Sequence, residues 1–339
     1  MSRLSFIRQN GFTLIELMVA LALGLIIVAA AVQLFTSGIL SSRLQQANAE
    51  IQDSGIFGLD YVVRDIRFAN QENLANLKLD DKTPYGGIIL TGSTATNRNA
   101  NFVPKVGATA YINPALLSRG QGDTVSTTAN HWQGLIGATL KDSSGSTIAN
   151  PVSDQLTIQF IAPANMTNCE GSNVFAGDLV VQRYFLRPDA NGDATDYALA
   201  CDANTPSATA ASATATPTSV LGLGDAGQII IPRVDHFHVL LGARSATGSF
   251  AYYTIPQYRS AADAARTTTP TAVEAPRILS VQLSVLVRSA NNAQNNAIDP
   301  TQAFIMLDQT ATPSDSTTRY QRRIYSTTVA LRNAMGDTL

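Results

Sequence analysis

The chain has 339 residues, of which 45% are hydrophobic and only 14% charged, with a formal net charge of −2. Globular proteins usually carry about 25% charged residues, so the expected surface is neutral and polar, built from Thr, Ser, Ala and Asn. General nucleic-acid binding needs clustered Lys and Arg and finds no support here; two cysteines in a chain this long exclude a disulfide-dense scaffold.

The first eleven residues, MSRLSFIRQNG, carry Arg3 and Arg8 and no acid. Phe12 to Phe35 then form an apolar run broken by Glu16, Gln33 and small or hydroxyl residues. As a helix this run reaches about 36 Å, enough to cross a hydrocarbon core of about 30 Å. The two arginines precede the span and are expected to stay cytoplasmic, which puts the rest of the chain outside. An ordinary secretory signal also begins with a basic segment and an apolar stretch, and Ala29, Ala30 and Ala31 resemble its cut site. That reading predicts a released soluble enzyme or binding module. The length of the run and the acid inside it favour an anchor, because an intramembrane carboxylate is costly unless it has a use. A cut between Gly11 and Phe12 would supply that use. It frees an α-amine at Phe12, one turn from Glu16, and the carboxylate of one helix could then meet the amine of its neighbour and set their register.

Gly11-Phe12-Thr13-Leu14-Ile15-Glu16-Leu17, followed by Met18-Val19-Ala20-Leu21, resembles the class III signal of type IV pilins and pseudopilins. The resemblance implies cleavage after Gly11 by a prepilin peptidase, N-methylation of Phe12 by the same enzyme, and a role for Glu16 in assembly. It also implies that residues 1–11 are a leader, that the span covers about 12–35, and that the subunit sits in the inner membrane with a periplasmic head before joining a pilus.

Apolar periodicity continues past the span. Leu40, Leu44, Ala47 and Ile51 lead into Gly55, Leu59, Val62, Val63 and Ile66 on one face, with Arg43, Gln45, Glu50, Asp53 and Arg64 elsewhere. No proline precedes Pro84, so one helix is expected over about 12–70, amphipathic in its second half. Gly24, Gly38, Gly55 and Gly58 are candidate bends or close approaches, the alternative being glycines the helix simply tolerates. Beyond residue 71 the texture is that of a β-rich head. Leu156–Phe160, the alternating set Phe237, Val239 and Leu241, Leu279–Val287 and Tyr325–Leu331 read as strands buried on one face. The expected fold class is α+β and pilin-like, a long helix packed on an antiparallel sheet. Residues 205–219 are low in complexity and read as an exposed, mobile loop, and 91–101 and 290–300 as surface excursions.

Arg323–Asn333 resembles the closing strand of PilW-type minor pilins, Ala275–Ile278 and Leu286–Ser289 their penultimate strand, and Asp65-Ile66-Arg67-Phe68-Ala69 their helix end. Asn70 stands where that family has Gly, and the cysteine often found just beyond is missing, so a family disulfide near the helix end is not expected. The resemblance implies a non-enzymatic subunit that primes pilus assembly, with other minor pilins, the major pilin and the inner-membrane assembly platform as partners and the fibre tip as its place. A type II secretion pseudopilin shares the N-terminus and helix-plus-sheet plan, and a DNA-capturing minor pilin is a third reading.

An oxidising compartment favours a Cys169–Cys201 bridge, closing a loop of about 32 residues. Asp189-Ala190-Asn191-Gly192-Asp193-Ala194-Thr195-Asp196 hints at a calcium loop, but Gly192 and Ala200 stand where an EF-hand needs other residues, and Asn-Gly favours a hairpin. His236 and His238 share a strand face; zinc would need further ligands, and His131 is the remaining histidine. No cofactor is expected, and no G-x-S-x-G, H-E-x-x-H or P-loop motif occurs.

Overall fold

Helix α1 runs unbroken from Leu14 to Ile66, about 80 Å of chain. The computed structural model describes residues 11–73, 76–190, 192, 196–267 and 272–335. No residue of α1 before Ala47 is buried. From there Ala47, Ile51, Gly55, Gly58, Leu59, Val62, Val63, Asp65 and Ile66 turn one stripe into the head. Its large aliphatic side chains alone contribute on the order of 10 kcal/mol of apolar burial. The helix ends through a turn in which Asn70 takes φ 64. Asparagine is the residue after glycine that tolerates this left-handed conformation. Its side chain donates to the Asn333 carbonyl at 2.9 Å and accepts from the Gly87 amide at 3.2 Å, tying the helix end to the end of the head.

In chain order the strands among the described residues are β1 (Lys105–Val106), β2 (Ala138–Lys141), β3 (Leu156–Ile161), β4 (Met166–Thr167), β5 (Asn173–Val174), β6 (Leu179–Pro188), β7 (Tyr197–Ala203), β8 (Ser219–Val220), β9 (Gln228–Ile231), β10 (Val234–Arg244), β11 (Phe250–Thr254), β12 (Arg277–Arg288), β13 (Phe304–Met306), β14 (Gln309–Pro313) and β15 (Arg322–Ala330). A second helix, α2 (Ile255–Thr267), links β11 to β12. Two antiparallel four-stranded sheets dominate, ordered β11-β10-β12-β15 and β3-β6-β7-β9. A three-stranded sheet, β13-β14-β2, and two short pairs complete the set.

The expected plan, a long helix packed on an antiparallel β head, is found, with the head's strands divided among several sheets; α2 was not foreseen. The long strands are also buried on both faces rather than one, since β6 is buried from Leu179 to Leu186 and β10 from Val234 to Ala243. The second face carries polar side chains that serve loops instead of water. Thr157 Oγ1 donates to the Leu116 carbonyl at 2.8 Å, and Gln159 Nε2 donates to the Gly86 and Asn101 carbonyls at 2.8 and 2.9 Å. Strand alternation therefore records a change of partner, not exposure.

The low-complexity segment 205–219 is largely exposed, but it is tethered rather than free. Asp178 accepts from the Ser207 amide at 2.7 Å and from the Ser207 hydroxyl at 2.9 Å, and the Leu179 amide donates to the Thr214 carbonyl at 3.0 Å.

α1 lies against β15, β9 and β12, so it bridges the end strands of both four-stranded sheets. Two of the four glycines make this possible. A Cβ on Gly55 would sit 2.1 Å from the Tyr325 ring in β15, and one on Gly58 would sit 2.3 Å from Ile231 Cγ1 in β9. Gly24 and Gly38 have nothing within 4 Å. Gly58→Leu is therefore expected to lower the head's stability by about 1–3 kcal/mol through overpacking. Gly38→Ala should instead be neutral or stabilise the helix by up to about 1 kcal/mol. Urea unfolding of the two variants checks the contrast, and equal midpoints would refute the close approach at Gly58.

Candidate functional site

Gly11 and Phe12 lie just ahead of α1, outside it, and Phe12 is 88% exposed. Arg3 and Arg8 lie outside the described residues. Thr13 is the N-cap. Its Oγ1 accepts from the Glu16 amide at 3.3 Å, while Glu16 Oε2 accepts from the Thr13 amide at 2.9 Å and the Thr13 hydroxyl at 2.8 Å. This reciprocal capping box satisfies amides that an apolar environment would otherwise leave unpaired. Glu16 is the one charged residue between Phe12 and Ser42. Thr-x-x-Glu before an apolar run is a helix-start signature, so Thr13 was legible as part of this site. Ala29, Ala30 and Ala31 lie in mid-helix, with no extended segment around them.

About eight turns beyond Phe35, the helix meets the head through a buried acid. Asp65 Oδ2 accepts from the Tyr184 hydroxyl at 2.7 Å. The Gln182 amide, oriented to satisfy its neighbours, donates to the same oxygen at 3.0 Å and accepts from the Cys169 amide at 2.9 Å. Burial pushes the Asp65 carboxyl up to about 6, against the pull of the Tyr184 hydrogen bond and the Arg64 charge. A raised carboxyl favours the fold fully below its unfolded value, 3.8 in the ordinary case, and that contribution is lost as pH rises through about 6. The rise corresponds to about 3 kcal/mol. Asp65→Asn keeps an acceptor for Tyr184, so it should match the parent near pH 4 and exceed it by up to about 3 kcal/mol near pH 8. Urea unfolding at both pH values tests this; an unchanged difference between them would refute the assignment. The position was readable as an acid on the apolar stripe, three residues after Val62.

Cys169 and Cys201 form a disulfide with a Cα–Cα separation of 6.1 Å. The segment 189–196 joins β6 to β7 as a hairpin, closed by the Asp189 amide on the Asp196 carbonyl at 2.8 Å; residues 191 and 193–195 lie outside the described residues. His236 and His238 do share a strand face, with ring centroids 5.8 Å apart. All four ring nitrogens are engaged. His236 meets Ser153 Oγ at 3.0 Å and Gln309 Oε1 at 3.3 Å. His238 lies between Asp154 at 2.8 Å and Asp308 at 2.7 Å. Burial and the neighbouring His238 charge hold His236 down to about 3. For His238 burial acts downward too, but Asp154 and Asp308 overcome it and raise it to about 9. The pair is a polar strut between β10 and its flanking loops, with no nitrogen left for a metal.

Residues 7–32 match the prokaryotic N-terminal methylation motif, and residues 183–333 match the Type IV Pilus-assembly protein W family. No curated protein matches the chain. Among solved structures it is similar to a type IV-like pilin, TTHA1219, from Thermus thermophilus, at 14% identity over 59% of this chain and 86% of that one, with a TM-score of 0.27; that superposition is too loose to add to the fold described above. The methylation motif implies prepilin-peptidase processing. The chain thus carries a prokaryotic N-terminal methylation motif at its start, and most of its second half is similar to the Type IV Pilus-assembly protein W family.

Proposed function

We propose that this chain is a minor pilin, cut between Gly11 and Phe12 and methylated at Phe12, that primes type IV pilus assembly in a tip complex with other minor pilins. In this reading residues 1–11 are the leader, α1 up to about Phe35 spans the inner membrane, and the head from about residue 71 is periplasmic. The observation that carries it is the bare apolar half of α1. From Leu14 to Phe35 its large apolar side chains are all more than half exposed, far beyond the apolar patches that soluble monomers tolerate. Lipid, and then the helices of neighbouring subunits, are the surroundings that would cover it. Glu16 is the charge that would give this greasy rod a register, by pairing with the Phe12 amine of the next subunit. The capping box lets Glu16 wait in the membrane with its oxygen already bonded to Thr13.

Intact-mass and N-terminal sequencing of the protein from membranes and from sheared pili tests the proposal. The expected product starts at methyl-Phe12 and is present in pili at a small fraction of the major subunit. A soluble product starting at Val32 would refute it.

A further inference from the structure

Behind the disulfide lies a cluster of three carboxylates that the pilus role does not use. Glu170 follows Cys169, and Asp202 follows Cys201 in β7, so the bridge holds the two acids side by side. Asp225 reaches them from the loop ahead of β9. One oxygen from each of the three lies within 4.8 Å of the others.

The arrangement around Asp202 is unlike a chance gathering of surface acids. Asp202 is fully buried. Its Oδ2 accepts from Arg183 Nε at 3.0 Å, Arg183 Nη2 at 2.6 Å and the Gly224 amide at 2.9 Å. Its Oδ1 is closed to solvent and has no hydrogen-bond partner. A buried carboxylate oxygen with nothing to bond is costly, and such atoms call for an explanation. The loop carrying Asp225 is also shaped to stay. Asp225 Oδ1 accepts from the Gly227 amide at 2.8 Å, and its carbonyl accepts from Arg183 Nη2 at 3.2 Å. Gly227, at φ 59, would carry a Cβ only 2.1 Å from the Cys201 carbonyl, so only glycine lets the loop lie this close to β7.

We infer that Glu170, Asp202 and Asp225 form a calcium site. The donors are all oxygen, which selects a hard cation over zinc or copper. Oxygens within 4.8 Å of one another are close enough to share one ion; calcium accepts a flexible set of oxygens at about 2.3–2.6 Å, whereas magnesium demands about 2.1 Å and a near-ideal octahedron. Charge agrees with this, since three carboxylates against the Arg183 guanidinium leave a surplus of two negative charges that a divalent ion balances. The ion would join β7, the segment after Cys169 and the loop before β9. β9 is the strand on which Gly58 of the helix rests, so the site would brace the seat of α1.

The test uses the full-length oxidised chain in detergent micelles near pH 8, with calcium chloride as the probe. Isothermal titration should give saturable binding at one site, and the melting temperature should rise with calcium. Asp225→Asn and Glu170→Gln should each weaken binding by roughly tenfold or more, because affinity follows the ligand charge count, and should erase the calcium-dependent rise. In excess chelator both variants should melt at or above the parent temperature, which separates a lost ligand from a damaged fold. No saturable binding by the parent up to about 10 mM, beyond the weakest extracellular calcium modules, would overturn the site. So would unchanged affinity in both variants, and magnesium binding as tight as calcium would overturn the choice of ion.

Discussion

Glu16→Ala is expected to give a chain that is cut after Gly11 and retained in the membrane but missing from pili. On the proposed reading the peptidase cuts between Gly11 and Phe12, which lie ahead of the helix, so loss of a side chain inside the helix should leave the cut intact. Incorporation is different. In the fibre the Phe12 amine of a neighbour would be buried among apolar helices, and removing its partner leaves an uncompensated charge. Breaking a buried pair in this way costs about 3–5 kcal/mol, a fall of more than a hundredfold in incorporation. Alanine also removes half of the capping box, worth about 1 kcal/mol. Two further variants separate these effects. Glu16→Gln keeps a capping side chain without the charge, and Thr13→Ala keeps the charge without the hydroxyl. If charge governs assembly, Gln fails as badly as Ala, and Thr13→Ala is mildly affected. Immunoblots of sheared pili against membrane fractions decide it. Normal incorporation of Glu16→Gln would refute the docking role of the carboxylate while leaving the cap in place.

The second large effect is expected from the disulfide. It spans a sequence separation of 32, and the chain-entropy model assigns such a loop about 3.7 kcal/mol. Replacing both cysteines by alanine, or reducing the parent protein, should therefore remove about 3–4 kcal/mol from the head. The loss should spread to the helix seat, because the Cys169 amide donates to Gln182, which in turn donates to Asp65. Urea unfolding with and without reductant is the measurement. A parent protein whose midpoint ignores reductant, or a double variant as stable as the parent, would show that the native packing of β7 holds these segments without the bridge.

These two sites were legible to different degrees. Glu16 could be read from one line of sequence because its chemistry is local. A lone acid in an apolar helix needs a partner, and the glycine five residues before it marks where one can be made. The long helix was equally legible, since the stripe from Ile51 to Ile66 repeats with helical period and each of its members is buried. The alternating strands were found in their places at Leu156–Ile161, Val234–Arg244, Arg277–Arg288 and Arg322–Ala330. What they faced was not. A period of two says that neighbouring side chains point opposite ways, but it cannot say that the second face of β3 meets loops from residues 86–118 instead of water.

The N-terminal segment is governed by one-dimensional properties. Hydropathy, helical period and the spacing of Gly11, Phe12, Thr13 and Glu16 are set by residues within a few turns of each other, so the sequence by itself determined the anchor, the helix and the charge within it. The head's chemistry is three-dimensional. Asp65 meets Tyr184 across 119 positions, His238 meets Asp154 across 84, and Arg183 meets Asp202 across 19. Only the tertiary structure decided these pairings, because a buried polar group must find its partner wherever the chain's path brings one, and no local period encodes that path.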